Sequence, residues 1–151
     1  MKFFYYCNRQ LFPAMIAAYI HLQKLPKERI PTIREISKMS DDRLISGDYG
    51  VPCFIGENKN SQIYVIRFDA DISLALQTIE NILSQRGINF SQWIFLGVLE
   101  PKSIDNIIIR MGERLSQKRS TSPLGKYLAA IGIRKNYRKI LEMVNLSKEQ
   151  K

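Results

Sequence analysis

Two short stretches of the chain are apolar at consecutive positions, and both predict buried β-strands. In the first, Lys2 to Tyr6, aromatic side chains occupy odd and even positions alike. A strand with this two-sided pattern is covered on both faces, as in the centre of a parallel sheet. Trp93 to Val98 repeats the pattern. We therefore expect two strands inside a sheet that has helices on both of its faces.

Helical spacing of apolar residues follows the first strand and appears again in the middle of the chain. Proline fits the first turn of a helix, so Pro13 predicts a helix that continues from Ala14 to Leu22 and is apolar nearly all round. A second, amphipathic helix begins at Ile72 and ends near Gly87, where glycine accommodates a left-handed residue. Its apolar positions are Ala75, Leu76, Ile79, Ile82 and Leu83.

Two further helices are predicted in the C-terminal third. Ser103 can cap the first of them, whose apolar positions are Ile104, Ile107, Ile108, Met111 and Leu115. The tail repeats the helical spacing at Ile133, Tyr137, Ile140, Leu141 and Val144. The segment Leu124 to Ile131 fits no single pattern and is left unassigned.

A short helix and a hairpin complete the pattern. Thr32 and Glu35 have the capping-box spacing, which opens a helix toward Lys38. Val51 to Ile55 and Gln62 to Phe68 flank the turn-rich segment from 57 to 61 and predict a β-hairpin. Strands that alternate with helices favour a mixed, mainly parallel sheet. The expected fold class is an α/β three-layer sandwich with one hairpin, formed as a single domain over residues 1–151.

Composition narrows the class of protein. A chain of 151 residues with 45% hydrophobic and 25% charged residues has the composition of one globular domain. The apolar run from Leu11 to Leu22 contains a proline and is shorter than the roughly 20 residues that span a bilayer. Cys7 and Cys53 form no Cys-x-x-Cys pair, and His21 is the one histidine. These features predict a cytoplasmic protein with no metal, no cofactor and no membrane partner.

Positive charge is concentrated in the C-terminal third. Residues 1–101 hold 11 basic and 10 acidic residues (net +1), whereas residues 102–151 hold 12 basic and 4 acidic residues (net +8). Arg134, Lys135, Arg138 and Lys139 lie off the apolar face of the tail helix, an arrangement that suits the phosphates of a nucleic acid or an acidic protein. No aromatic residues interleave with them, and a solvated helix face is the commoner explanation of such a pattern.

The loops after the two buried strands are the candidate ligand site. In open α/β sheets, ligands bind at the carboxyl ends of strands, where free backbone N–H groups at helix N-termini favour anions. Cys7, Asn8, Arg9 and Gln10 follow the first strand. Glu100 and Ser103 follow the second strand. If the two strands are neighbours, these six residues share one crevice and bind a small anionic ligand there.

Three features of the chain resemble parts of known catalytic or phosphate-binding sites, but each lacks a residue that such a site needs. A cysteine phosphatase needs an arginine six positions after its nucleophile, but Pro13 stands six positions after Cys7. Cys7 is therefore interpreted as a packed residue. His21 has apolar neighbours and no catalytic partner at a recognisable spacing, so it is interpreted as a core histidine. Leu124-Gly125-Lys126 lacks the upstream glycine of a phosphate loop, since Ser120 stands in its place.

Short fragments in a consistent order carry a family resemblance. They are the strand ending in Cys7; Ala17-Ala18, Ile20-His21-Leu22 and Leu25-Pro26; Gly50-Val51-Pro52 and Phe54-Ile55-Gly56; and Gly125, Leu128-Ala129-Ala130, Gly132-Ile133, Lys135 and Tyr137. Over nearly its full length the chain resembles the bacterial domain of unknown function 3189, found mainly in spore-forming Firmicutes. The resemblance implies an α/β fold and brings no established activity.

The resemblance also implies what the loop after the first strand contains in this family, namely paired glycines, a histidine and serines. Here that loop reads Asn8-Arg9-Gln10-Leu11-Phe12. This difference indicates a divergent member that has lost the site or binds another ligand there. Three hypotheses follow: a non-catalytic or degenerate protein that binds a small anion or a partner, a protein that binds nucleic acid or an acidic partner through its basic third, and an enzyme that acts on a phosphorylated small molecule at the Cys7 loop.

Overall fold

Four strands form one mixed sheet in the computed structural model, which describes residues 1–41, 44, 48–69, 71–89, 91–98, 104–118 and 122–149. The strands are β1 (Lys2–Asn8), β2 (Cys53–Asn58), β3 (Ser61–Phe68) and β4 (Trp93–Gly97). Their order is β2-β3-β1-β4, with β1 parallel to both β3 and β4 and with β2 antiparallel to β3. The predicted sheet, mainly parallel with one hairpin, is confirmed.

The hairpin strands lie closer to the turn than the sequence pattern indicates. β2 begins at Cys53 instead of Val51, because Pro52 has no N–H to donate to the strand ladder. At the turn, the Asn60 N–H donates to the side-chain oxygen of Asn58 at 3.2 Å. This local hydrogen bond lets two residues connect the strands, so the ladder extends to Asn58 and Ser61.

β1 lies at the centre of the sheet, which explains its aromatic residues on both faces. Phe3 and Tyr5 have no solvent exposure on one face. On the other face, the Phe4 ring stacks between Tyr64 on β3 and Phe95 on β4, with ring centroids 4.9 and 4.8 Å apart. Burial of such side chains contributes roughly 1.5–3 kcal/mol each, so β1 is a main source of stability.

Helices cover both faces of the sheet, which confirms the three-layer arrangement. They are α1 (Phe12–His21), α2 (Ile33–Lys38), α3 (Ile72–Gln85), α4 (Ile104–Ser116) and α5 (Ser122–Glu149). The helices α1, α2, α4 and α5 share one hydrophobic core with Phe3 and Tyr5. The opposite face packs against α3 through Ile72, Ala75, Leu76 and Ile79. Thr32 and Glu35 form the predicted capping box at the start of α2.

The unassigned segment from Leu124 to Ile131 is helical and belongs to α5. Its helical pattern is hidden because the helix crosses α4 on small residues. A Cβ atom added to Gly125 would lie 2.3 Å from the Ser116 nitrogen and 2.6 Å from the Gly112 oxygen. The backbones of α4 and α5 are therefore in direct contact at this crossing, which fixes the position of the α4 side chains that follow Gly112.

His21 is a core residue, as the sequence indicated. It is 1% exposed, and its Nδ1 lies 2.7 Å from the hydroxyl oxygen of Tyr5. The Phe3 ring meets the imidazole edge-on, with centroids 4.6 Å apart. The Tyr5 hydroxyl also lies 3.4 Å from the Ser147 hydroxyl near the end of α5. This buried polar group of three side chains joins β1, α1 and α5, so it has a structural explanation that needs no ligand.

Candidate anion-binding site

The strands β1, β3 and β4 end at one edge of the sheet, and the loops that leave them define the candidate site. The Arg9 N–H donates to the Phe68 carbonyl at 2.7 Å, which ties the loop after β1 to the end of β3. The Val98 N–H donates to the Tyr6 carbonyl at 2.8 Å, which ties the end of β4 to β1. The two strands are therefore neighbours, with Val98 beside Tyr6, whereas the loop after β4 (residues 99–103) lies outside the described part of the chain.

Arg9 turns the chain from β1 into α1 and is held in place by an ion pair. Its φ angle of +61° is in the left-handed region, which costs a non-glycine residue about 1–2 kcal/mol. The guanidinium Nε lies 2.6 Å from Oδ1 of Asp69, and both side chains are about half exposed. An ion pair this exposed contributes at most about 1 kcal/mol, so its main effect is on the direction of the guanidinium group.

Glu113 of α4 caps the N-terminus of α1. Its Oε1 accepts hydrogen bonds from the backbone N–H groups of Leu11 (3.0 Å) and Phe12 (2.6 Å). The cap residue of α1, Leu11, has no side chain that can do this. A carboxylate is favourable here, because the first N–H groups of a helix have no partners within the helix and carry partial positive charge. The N–H groups at the end of the loop that was expected to bind a ligand anion therefore already bind the carboxylate of Glu113.

The environment of Glu113 favours its protonated form more than water does. The residue is 3% exposed, and burial raises the pKa of its carboxyl group to about 7. The N–H groups of Phe12 and Leu11 and the charges of Arg67 and Arg110 act in the opposite direction and limit this rise. Glu113 is thus a buried acid that changes its charge near neutral pH.

A cavity of about 400 Å³ opens at this edge of the sheet. Its lining combines three arginines and two carboxylates with one phenol and one amide, from the loops around β1 and β3 and from α4. The lining residues are Arg9, Tyr49, Asp69, Arg110, Glu113, Arg114 and Gln117. Asp69 is paired with Arg9, so Arg110 and Arg114, on the same helix as Glu113, are the other two positive groups of the lining.

Two arginines near Glu113 are partly withdrawn from solvent. The Nε of Arg110 is buried and has no hydrogen-bond partner among the residues that the structure describes. Arg67 of β3 is 7% exposed, and its guanidinium carbon lies 4.2 Å from the centre of the Tyr49 ring. Gly50, with φ +76°, donates its N–H to the Arg67 carbonyl at 2.7 Å and so holds Tyr49 beside the cavity. Arg67 is therefore held by contacts within the protein, whereas Arg110 keeps a donor without a partner among the described residues.

Of the six ligand residues expected from sequence, the structure places Arg9 on the cavity. Cys7 is 4% exposed, and its thiol donates to the Val98 carbonyl at 3.0 Å. Gln10 is buried, and Asn8 is half-buried at the end of β1; neither lines the cavity. The other two residues lie outside the described part of the chain; they are Glu100 and Ser103.

Burial also decides the chemistry of Cys7. It raises the pKa of the thiol well above its ordinary value, and the nearby Glu113 raises it further. Backbone hydrogen bonds with Ala14 and Val98 oppose this rise. A nucleophilic cysteine needs the thiolate form, so this environment agrees with the interpretation of Cys7 as a packed residue.

The α4 residues of the site were not predicted from the sequence. Arg110, Glu113, Arg114 and Gln117 lie on a helix whose apolar spacing alone was used to predict it. The expected apolar face is partly wrong, since Ile107 and Met111 are exposed, and the positions that the structure buries are Ile109, Gly112, Glu113 and Ser116. An acid at a core position needs partners, which indicates a capping or binding role.

The four basic residues of the tail lie on the solvent side of α5, as expected. Arg134, Lys135, Arg138 and Lys139 are exposed, while Ile133 and Tyr137 between them are buried. These basic residues are on a different segment from the cavity. The site in the cavity and the basic face of α5 are therefore two separate features.

Comparisons with known proteins identify the family of the chain but assign it no function. Residues 2–149 match the family described as protein of unknown function (DUF3189). No curated protein and no solved structure matches the chain. Among the described residues, no group of three or more Asp, Glu, His and Cys side chains is placed to hold a metal ion. No helix in the described ranges is long and apolar enough to cross a membrane.

Proposed function

We propose that this chain, which belongs to the family of proteins of unknown function DUF3189, binds a small oxyanion in the arginine-lined cavity. The family assigns no activity, so the proposal rests on the residues of the cavity. The observation that carries this proposal is the placement of Arg110 and Arg114, one helical turn apart on α4, beside the end of β1. Guanidinium groups bind phosphate and carboxylate oxygens through paired, charge-assisted hydrogen bonds. The buried Nε of Arg110 supports it, because a ligand oxygen would give this donor a partner.

The size and position of the cavity agree with a small ligand. Pockets for small molecules have volumes from about 300 Å³ upward, so about 400 Å³ accommodates a ligand such as a phosphorylated three- to six-carbon compound. The carboxyl edge of a parallel sheet is also where α/β proteins bind ligands most often.

Binding, and not chemistry on the ligand, is the role that we propose. The described residues that line the cavity include no serine, cysteine or histidine that could act as a nucleophile or a proton carrier. The buried thiol of Cys7 is directed at the Val98 carbonyl. Glu113 titrates near neutral pH, but its Oε1 is engaged with the N-terminus of α1 and no nucleophilic side chain accompanies it among the described lining residues. This arrangement suits a protein that senses or holds an anion.

Calorimetric titration with inorganic phosphate at pH 8 and low ionic strength tests the proposal. We expect the wild type to bind phosphate, and we expect Arg110→Gln and Arg114→Gln each to weaken binding by about 10- to 100-fold, the loss of one charge-assisted contact. Arg86→Gln is the matched control, because Arg86 is exposed at the end of α3 and lies outside the cavity. Equal affinities in all four proteins, or no binding by the wild type, would contradict the proposal.

A second candidate function is binding of nucleic acid or an acidic protein by the basic face of α5. The observation that favours it is the exposure of Arg134, Lys135, Arg138 and Lys139 within two turns of one helix, with no acidic residue among them. Such a face neutralises phosphates and releases their counterions.

Salt dependence distinguishes this second function from a merely solvated helix face. Fluorescence anisotropy with labelled single- and double-stranded oligonucleotides should show binding at 50 mM salt that falls at least tenfold by 200 mM. The double variant Arg134→Gln/Arg138→Gln should weaken it, whereas Arg110→Gln should not. Absence of binding at 50 mM salt would end this hypothesis.

A further inference from the structure

The cavity contains an acceptor as well as donors, and this combination constrains the ligand. The arginines can only donate hydrogen bonds. Asp69 is already paired with Arg9. Glu113 is the remaining carboxylate of the lining; its Oε1 accepts the two short hydrogen bonds from the backbone, while its Oε2 has one longer contact, 3.3 Å from the Leu11 nitrogen. Oε2 therefore retains capacity to accept a further hydrogen bond.

We propose that the ligand of this site carries a hydrogen-bond-donating hydroxyl group next to its oxyanion, and that Glu113 selects for that hydroxyl while Arg110 and Arg114 bind the oxyanion. This inference rests on the proposed function and names the class of ligand that the site prefers: hydroxylated phosphomonoesters or hydroxy acids, in preference to simple phosphate or unsubstituted alkyl phosphates. A bare oxyanion gains only the contacts with the arginines, whereas a ligand that also presents a donor gains a further hydrogen bond to this carboxylate.

The charged and titratable groups around Glu113 support the same assignment. Among the described residues they are Cys7 on β1, Arg67 on β3, Arg110 and Arg114 on α4, and Arg9, Tyr49 and Asp69 on the surrounding loops. The cations among them outnumber the carboxylates, so the cavity holds Glu113 and an anion together. The hydroxyl group then provides the contact that distinguishes one anion from another.

Two probes of equal charge and nearly equal size isolate the hydroxyl contact. Glycerol 1-phosphate and n-propyl phosphate differ in two hydroxyl groups and carry the same phosphoryl group. At pH 8, where that group is fully ionised, we expect the wild type to bind glycerol 1-phosphate at least tenfold more tightly, the usual effect of one hydrogen bond to a charged group. Equal affinity for the two probes would overturn the inference.

Glu113→Gln is expected to remove the preference in a way that a structural role does not predict. The glutamine oxygen can keep the contacts with Leu11 and Phe12, and its amide then donates into the cavity. We expect propyl phosphate to bind this variant at least tenfold more tightly than it binds the wild type, so that the two probes differ by less than threefold. An undiminished preference for glycerol 1-phosphate in the variant would assign the selection to another residue and overturn the inference.

The wild-type chain offers a second test that needs no variant. Between pH 8 and pH 6 Glu113 takes up a proton, and its carboxylic acid can then donate to a phosphate oxygen. The ratio of the two affinities should therefore shrink at least threefold at pH 6, because ionisation of the phosphoryl group changes equally for both probes. A ratio of affinities that is the same at pH 8 and pH 6 would contradict the assignment of this selection to Glu113. If neither probe binds at either pH, the proposed function fails, and this inference fails with it.

Discussion

Gly125→Ala is expected to lower the free energy of unfolding by about 3 kcal/mol or more, although alanine is the better helix former. In an exposed helix the same substitution raises stability by about 1 kcal/mol. Here the added methyl group would lie 2.3 Å from the Ser116 nitrogen and 2.7 Å from the Leu115 carbonyl carbon. Both are backbone atoms of α4, which cannot rotate away. The two helices must separate, and overpacking of this kind costs roughly 1–3 kcal/mol in addition to the weaker packing between the separated helices.

Urea denaturation followed by the fluorescence of Trp93 measures this effect. Asn145→Ala is the control, because Asn145 is exposed on the same helix and gains helix propensity without a steric conflict. Its stability should equal or exceed that of the wild type. Gly125→Ala should also weaken phosphate binding, since the crossing positions Arg110 and Glu113. A stability change of less than 1 kcal/mol would show that α4 and α5 are not in backbone contact.

Raising the pH from 5 to 8 is expected to remove roughly 2–3 kcal/mol of stability through Glu113. The pKa of its carboxyl group is about 7 in the folded chain, against an ordinary value of 4.5. Between these values the native state binds more protons than the unfolded state, so stability falls as pH rises. The contribution is fully present below pH 4.5 and is lost as pH rises through 7. A difference of this size between two pKa values corresponds to roughly 3 kcal/mol.

Glu113→Gln provides the reference for this measurement. The variant keeps an acceptor for the N–H groups of Leu11 and Phe12 but cannot ionise. Its free energy of unfolding, measured in urea at pH 5, 6, 7 and 8, should lack the loss of stability that ionisation of Glu113 causes in the wild type. The difference between wild type and variant then isolates Glu113 from all other titrating groups. Parallel curves for the two proteins would mean that Glu113 keeps the same charge in the folded and unfolded chains across this range.

Strands and helices with a strong apolar period could be predicted from the sequence, whereas the crossing of α4 and α5 at small residues could not. The aromatic pattern of β1 reports directly that both of its faces are buried, and the apolar spacing of α3 indicates the side that packs against the sheet, although Ile82 on that pattern is exposed. The first part of α5 packs through Gly125 and Ala129, whose burial leaves no apolar period to detect. The bounds of the hairpin also depended on local hydrogen bonds at Asn58 and Asn60, which propensity does not capture.

Part of the candidate site could also be predicted from the sequence, and part of it could not. Its location at the strand ends and the presence of Arg9 followed from general properties of parallel sheets. The α4 residues required the tertiary structure, because Glu113 meets Leu11 and Phe12 across about a hundred residues of sequence. The loop after β1 lacks the polar residues that the family resemblance implies for an anion cradle, and the N–H groups at its end donate instead to the Glu113 carboxyl group of α4.

A crystal structure of the protein soaked in tungstate tests the central claim most directly. Tungstate is a tetrahedral dianion like phosphate, and its anomalous scattering locates it without ambiguity. We predict one strong peak inside the cavity, within hydrogen-bond distance of Arg110 and Arg114. Peaks confined to the basic face of α5, or a cavity without tungstate in a crystal that holds it elsewhere, would contradict the account.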